Sequence, residues 1–267
     1  MSWLITGSQK VNWDPSLITT SLWLDAADET TFSYRSGSTT LISEWRDKSG
    51  NSRHCSQSTE SLQPTRSTTA LNSKPAVTFT DHILNNASAS LPLISRSIFL
   101  VCYESSAVDY AGFLSVKPSS GNDYDTAGAI AIESGASAIN FSISGTASTS
   151  YTLTKSGSGA TPAGIYTEIK EASLGTLYVN GTSAATDNSF TEFSANSSNG
   201  YLLGGRYLAG AISSLYRLNG GIAEIIYAGT TLNAFNRQKV EGYLAHKWAL
   251  TSSLPSDHPY KVNPPAP

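Results

Sequence analysis

The sequence predicts an all-β protein, a two-sheet antiparallel sandwich carrying one amphipathic helix near its C-terminus. Three observations lead there. Ile139-Asn-Phe-Ser-Ile143 alternates apolar and polar residues with period two, the pattern of a half-buried strand. Asn180-Gly181 ends a strand-like run, and this dipeptide best tolerates the positive φ angles of a type I′ hairpin turn. Val240, Tyr243, Leu244 and Trp248 recur at helical spacing, where the apolar period changes. At 267 residues the chain is long enough for a full core, and sandwiches of this length often form one domain. Charged residues make up only 14% and Ser, Thr, Gly and Asn are abundant, a balance that suits strands, turns and an uncharged polar surface.

Taken in order, the chain opens with a polar N-terminal arm, residues 1–20, holding Trp3 and Trp13. Both are expected to fold back on the body, residues 21–267, because terminal segments of sandwiches are commonly tied down by pairing. Residues 75–79 alternate briefly as a strand, and residues 98–103 are apolar on both faces, as a central covered strand would be. Residues 139–143 and 175–181 follow, the second folding back as residues 182–186. Residues 214–218 read as another strand, Asn219-Gly220-Gly221 as its turn, and residues 222–227 as the next strand. The helix falls within residues 232–250, with Asn233 to cap it, His246 and Lys247 at its negative end, and Arg237, Lys239 and Glu241 off the apolar face. A proline-punctuated tail closes the chain. The last strand is expected beside residues 22–28, with Val240, Leu244 and Trp248 covering apolar surface. Asp25 and Asp28 are expected to bond backbone amides where the first strand leaves its sheet.

Several function classes are disfavoured. Lys and Arg are scattered singly and the net charge is -3, so no stripe matches a row of phosphates or an anionic membrane. The longest apolar runs are far below the ~20 residues that cross a bilayer. The N-terminus lacks a basic region and a hydrophobic core, so folding is expected to finish in the cytoplasm. Cys55 and Cys102 are too few for a disulfide framework, and the four histidines show no metal-ligand spacing. Gly204-Gly205-Arg206 reads as a tight turn beside a strand.

Two long polar segments, residues 45–64 and 104–128, are where a ligand is expected. Tyr110, Tyr124, Arg206 and Tyr207 are the candidate contacts: a sugar offers an apolar face to an aromatic ring and hydroxyls to Asp, Asn or Arg. Asn122, Asp123 and Asp125 are candidate calcium ligands from one loop, and Asp47 with Asn51 from another. The reading favoured over calcium is that these residues close turns on their own backbone.

The runs Leu22-Trp-Leu-Asp-Ala-Ala-Asp28, Trp45-Arg-Asp-Lys-Ser-Gly-Asn51, Lys74-Pro-Ala-Val-Thr-Phe79, Gly175-Thr-Leu-Tyr-Val-Asn-Gly181 and Gly221-Ile-Ala-Glu-Ile-Ile-Tyr227 occur in an order that resembles concanavalin A-like, LamG-type jelly rolls. The ending Val240-Glu-Gly-Tyr-Leu-Ala-His-Lys-Trp248 with His258-Pro-Tyr-Lys261 resembles the version found in bacteriophage virion proteins and in environmental bacterial surface proteins. The resemblance implies a jelly roll that binds carbohydrate or protein surfaces and in some members holds calcium. It implies a tail-fibre, receptor-binding or capsid-decoration role in the virion, with other virion proteins and a host-surface glycan as partners. Such parts are often trimeric, although no heptad or collagen-like stalk imposes a homo-oligomer here. Laminarinase-type enzymes share the fold, but the Glu-x-Asp-x-x-Glu run their resemblance requires is missing. Glu133 and Glu168 lack a second carboxylate at i+2 or i+4, and Glu224 is the lone acid of its strand. The expectation is therefore a non-enzymatic phage virion module for host attachment or particle decoration. The alternatives are a carbohydrate-active enzyme or its sugar-binding domain, and a bacterial surface adhesin.

Overall fold

The computed structural model describes residues 13–117, 121–124, 129–135, 138–144, 150–157, 159–171, 173–188 and 200–267. These form two antiparallel sheets around one apolar core, the jelly-roll sandwich expected, with one α-helix near the C-terminus. Among the described residues the first sheet runs, edge to edge, Thr182–Asp187, Leu174–Val179, Gly164–Glu171, Arg96–Glu104, Asn219–Ala228, Lys74–Thr80 and Thr65–Leu71, with Leu22–Asp25 also on Asn219–Ala228. The second runs Ser150–Ser156, Ala138–Ser144, Ile130–Gly135, Gly112–Val116, Tyr201–Leu203, Leu84–Asn86, Cys55–Ser56, Ile42–Trp45 and Phe32–Tyr34.

Local chemistry accounts for the main elements. Residues 98–102, in the middle of Arg96–Glu104, are apolar on both faces, as suits a central strand that is buried along its length. Asn180 and Gly181 take φ of 50° and 81°, and Thr182–Asp187 folds back on Leu174–Val179 as the dipeptide demands. Cys55 and Cys102 are buried, unpaired thiols, and burial pushes that of Cys55 up to about 12, so it fills space as a small hydrophobe.

The reading of residues 214–218 as a strand turning at Asn219-Gly220-Gly221 is overturned. Residues 213–218 are irregular, and Asn219–Ala228 is one strand that contains both glycines. A Cβ at Gly220 would stand 2.1 Å from the Tyr103 carbonyl oxygen, and one at Gly221 2.4 Å from the Tyr103 ring. These glycines let a neighbouring strand approach closely, a use that sequence alone does not separate from a turn.

The helix Ala234–Lys247 is capped by the Asn233 side chain, which accepts from the Asn236 amide, and His246 and Lys247 occupy its last turn. Val240, Leu244 and Trp248 are fully buried, each such side chain being worth about 1.5–3 kcal/mol. Arg237 and Glu241 depart from expectation, because both are buried instead of pointing away. They pair at 2.7 Å across one turn, Arg237 lies 3.9 Å over the Tyr178 ring, and His258 of the tail reaches Glu241 at 3.3 Å. A charged residue can therefore face the core when the partners arrive from other elements.

Leu22–Asp25 pairs with the last strand in the register Leu22↔Tyr227 to Asp25↔Glu224, so the two ends of the chain meet as expected. Glu224 is fully buried there. It accepts from the indoles of Trp23 at 2.8 Å and Trp248 at 2.7 Å and from the Tyr243 hydroxyl at 3.1 Å, and it pairs with Lys247 at 2.8 Å. Asp25 accepts from the Ala27 amide and Asp28 from the Thr30 amide. Trp13 is buried, edge-on to Tyr243 at 5.9 Å, and its amide donates to Pro265; Trp3 lies outside the described residues.

Candidate functional site

The site lies on the face of the second sheet that turns away from the core. Leu114, Ile130, Ile132 and Leu153 belong to the core, so alternation sends Glu133 and Thr152 to the opposite face. The neighbouring strand Gly112–Val116 lets residues 204–206 settle on it, since a Cβ at Gly112 would fall 2.1 Å from the Gly205 carbonyl oxygen. Ser115 fixes that segment by donating to the Gly205 carbonyl at 2.9 Å. Arg206 is thereby delivered, almost fully buried, beneath the loops.

Its guanidinium meets two carboxylates from different elements. Arg206 Nε donates to both oxygens of Asp123 at 2.9 Å and Nη2 to Oδ1 at 2.7 Å, while Nη1 pairs with Glu133 and donates to the Tyr110 carbonyl at 3.3 Å. Asp123 also accepts from the Tyr207 amide at 2.9 Å, and Asn122 accepts from the Ala209 amide at 3.0 Å. Residues 121–124 are thus fastened to the hairpin Tyr207–Leu208 and Ala211–Ile212.

Above this floor opens a cavity of about 490 Å³, with Tyr110, Tyr124 and Tyr216 among its walls and Glu133, Thr152 and Arg206 below. Tyr110 and Tyr124 are 50% and 44% exposed, unusual for rings that could have packed inward. Tyr110 and Tyr216 meet edge to face at 6.0 Å, and the Tyr124 ring lies 5.6 Å from the Arg206 guanidinium carbon. Tyr110 and Tyr216 take φ of 62° and 60°, the left-handed region that costs a bulky residue about 1–3 kcal/mol. Such strain persists only where the surroundings impose it, and here it sets two rings at one mouth.

Of the residues expected from sequence, Tyr110, Tyr124 and Arg206 come together in this cavity. Tyr207 is corrected: its ring is buried against Ile83 and Leu202, burial raises its phenol, and only its backbone serves the site. Asn122 and Asp123 are engaged by protein donors in the manner of loop closure, and Asp125 lies outside the described residues. Asp47 likewise accepts from the amides of Trp23, Ser49 and Arg53 and from the Ser49 hydroxyl, while Asn51 donates to Thr20 and Ser21 carbonyls. Among the described residues no group of three or more His, Cys, Asp or Glu is placed to hold a metal ion.

Glu133, which the sequence brings up only as a lone carboxylate, and Tyr216 also line the cavity. Glu133 has no second carboxylate on its own strand, and its neighbour arrives instead from the loop at Asp123, through Arg206. Strand alternation does signal its outward face; nothing in the sequence signals the partner. Tyr216 sits in the segment read as a strand. Glu168 has no part in the site, being fully buried in a two-point pair with Arg96 at 2.7 and 2.8 Å.

No family model and no curated protein sequence matches this chain. Among solved structures it is similar to the CBM40 of the Ruminococcus gnavus IT-sialidase bound to α2,3 sialyllactose, at 18% identity and a TM-score of 0.43, covering 54% of this chain and 80% of that one. It is similar to the NanB sialidase K499G mutant from Streptococcus pneumoniae at 16% identity and a TM-score of 0.45, covering 61% of this chain and 26% of that one. The binding domain of botulinum neurotoxin DC in complex with SialylT aligns at 12% identity and a TM-score of 0.47, covering 85% of this chain and 51% of that one. The jelly-roll assignment rests on this chain's own strand order.

Proposed function

We propose that the chain is a non-catalytic carbohydrate-binding module whose ligand docks in the cavity walled by Tyr110, Tyr124 and Tyr216. The observation that carries this reading is the pair of exposed tyrosine rings over a buried floor of Arg206, Asp123 and Glu133. Ring faces suit the apolar side of a pyranose, and phenols, Thr152 and Glu133 suit its hydroxyls. A glycosidase sets two carboxyls on either side of the scissile bond. Here both carboxylates pair with the same guanidinium, which stands between them. The wider setting, a phage virion part for host attachment or particle decoration, is supported by the C-terminal motif alone.

Glycan-array screening followed by titration calorimetry tests the site. Tyr110→Ala and Tyr124→Ala are each expected to weaken binding about tenfold or more, the loss of about 1.4 kcal/mol, with the thermal midpoint nearly unchanged. A wild-type chain that binds no glycan, or binding indifferent to both substitutions, removes the proposal. Release of reducing sugar abolished by Glu133→Gln would overturn the non-catalytic part. Retention on host cells and recovery from purified particles test the virion setting separately.

A further inference from the structure

The chain closure brings an amine, a carboxylate and a second carboxylate into one shielded contact, and nothing in sugar binding requires it. Lys247 Nζ lies 2.7 Å from Asp25 Oδ1 and 2.8 Å from Glu224 Oε2. We propose that Lys247 and Asp25 condense to a side-chain amide, an intramolecular isopeptide bond, with Glu224 as the catalytic proton carrier.

The sheet fixes the two acids. Asp25 and Glu224 are directly opposite in register, so they share one face without depending on flexible arms. The amine comes from the last turn of the helix that covers that face. Side-chain exposure is 19% for Lys247, 5% for Asp25 and zero for Glu224, so bulk water reaches the lysine only in part. Each group is also aimed. The Trp23 and Trp248 indoles and the Tyr243 hydroxyl hold Glu224, and Lys247 donates to the same hydroxyl at 2.8 Å. Lys48 sits 2.9 Å from the other oxygen of Asp25, where it can stabilise the oxyanion formed as nitrogen attacks.

The step balances with these groups alone. Nζ gives a proton to Glu224 and attacks Asp25 Cγ; the new C–N bond forms as the Cγ–Oδ1 bond breaks. Two of the three ammonium protons leave on Oδ1 as water, carried in turn by Glu224, and the third remains as the amide N–H. No oxidant or external reagent is consumed. Burial pushes the Glu224 carboxyl upward more than Lys247 pulls it down, which suits a group that holds the proton midway. Condensation is unfavourable between free groups in water, but oriented partners reach effective molarities of about 10⁵–10⁸ M. A neutral amide also removes the desolvation cost of two charges at the closure.

The mass of the intact chain, measured under denaturing conditions after the folded protein has stood at neutral pH, decides the matter. The expected result is a wild type lighter than its sequence by one water, with a branched peptide joining the segments around Asp25 and Lys247. Lys247→Arg keeps the cation and is expected at its full mass, and Glu224→Gln likewise. A folded wild type at full sequence mass overturns the proposal, even where a variant fails to fold. Water loss that persists in Lys247→Arg places the modification elsewhere and overturns it too, and persistence in Glu224→Gln removes the role given to Glu224.

Discussion

The chain closure and the tyrosine-walled cavity are built from the same parts, a cation between two carboxylates among aromatic rings, and they differ in what the rings do. At the closure, Trp23, Trp248 and Tyr243 turn their N–H and O–H groups inward and spend them on Glu224. At the cavity, Tyr110 and Tyr124 stay about half exposed, and Asp123 is satisfied instead by Arg206 and the Tyr207 amide, while Glu133 pairs with the same Arg206. An aromatic residue whose polar handle is consumed inside stabilises the fold; one whose face remains open is available to a ligand. Side-chain chemistry alone does not assign the role, since tyrosine serves in both places.

Breaking the closure is expected to have the largest effect. Trp248→Ala should cost about 3–5 kcal/mol from lost packing, and more because Glu224 loses a donor, read as a fall in the urea midpoint. A loss below about 1 kcal/mol would mean that the closure is peripheral to the fold.

Next comes a matched pair of tyrosines. Tyr243→Phe removes one hydroxyl donor from a buried carboxylate and should cost about 1–3 kcal/mol without affecting glycan binding. Tyr124→Ala removes a whole ring yet should move stability by no more than about 0.5 kcal/mol, because that ring is 44% exposed. Equal destabilisation by the two would dissolve the contrast between inward and outward rings.

The smallest effect concerns acid. Burial raises the Asp25 carboxyl, but Lys247 and Lys48 outweigh it and hold the group below its ordinary 3.8; Lys48 and Thr30 hold Asp28 below the same value. A depressed carboxylate contributes stability that is complete above its ordinary value and lost as the pH falls through the folded-state value. Glu224, raised by burial, acts in the opposite sense and blunts the loss. In Lys247→Arg the carboxylate still titrates, whereas an amide does not. Between about pH 5 and pH 2 the variant's urea midpoint should therefore fall further than that of the wild type. Superimposable acid profiles would argue against the bond.

The elements that were legible share a local cause. Period-two alternation marked residues 139–143, the Asn180-Gly181 dipeptide marked its hairpin, and Asn233 with Val240, Leu244 and Trp248 marked the helix. Gly220 and Gly221 misled because a glycine needed for close approach to Tyr103 looks, in sequence, like one needed for a turn. Arg237 and Glu241 misled because a charge reads as surface until its partners, Tyr178 and His258, are known to arrive from elsewhere.

The sequence by itself determined the all-β class, the C-terminal helix and the meeting of residues 22–25 with the last strand. Those depend on periodicity, turn chemistry and residue type, which neighbours along the chain express. Only the tertiary structure decided that Asp123 and Glu133 share Arg206, that Tyr216 joins the cavity while Tyr207 leaves it, and that Lys247 meets Asp25 beside Glu224. Each of these joins residues from separate elements, and such meetings are set by sheet register and loop closure, which no local pattern encodes.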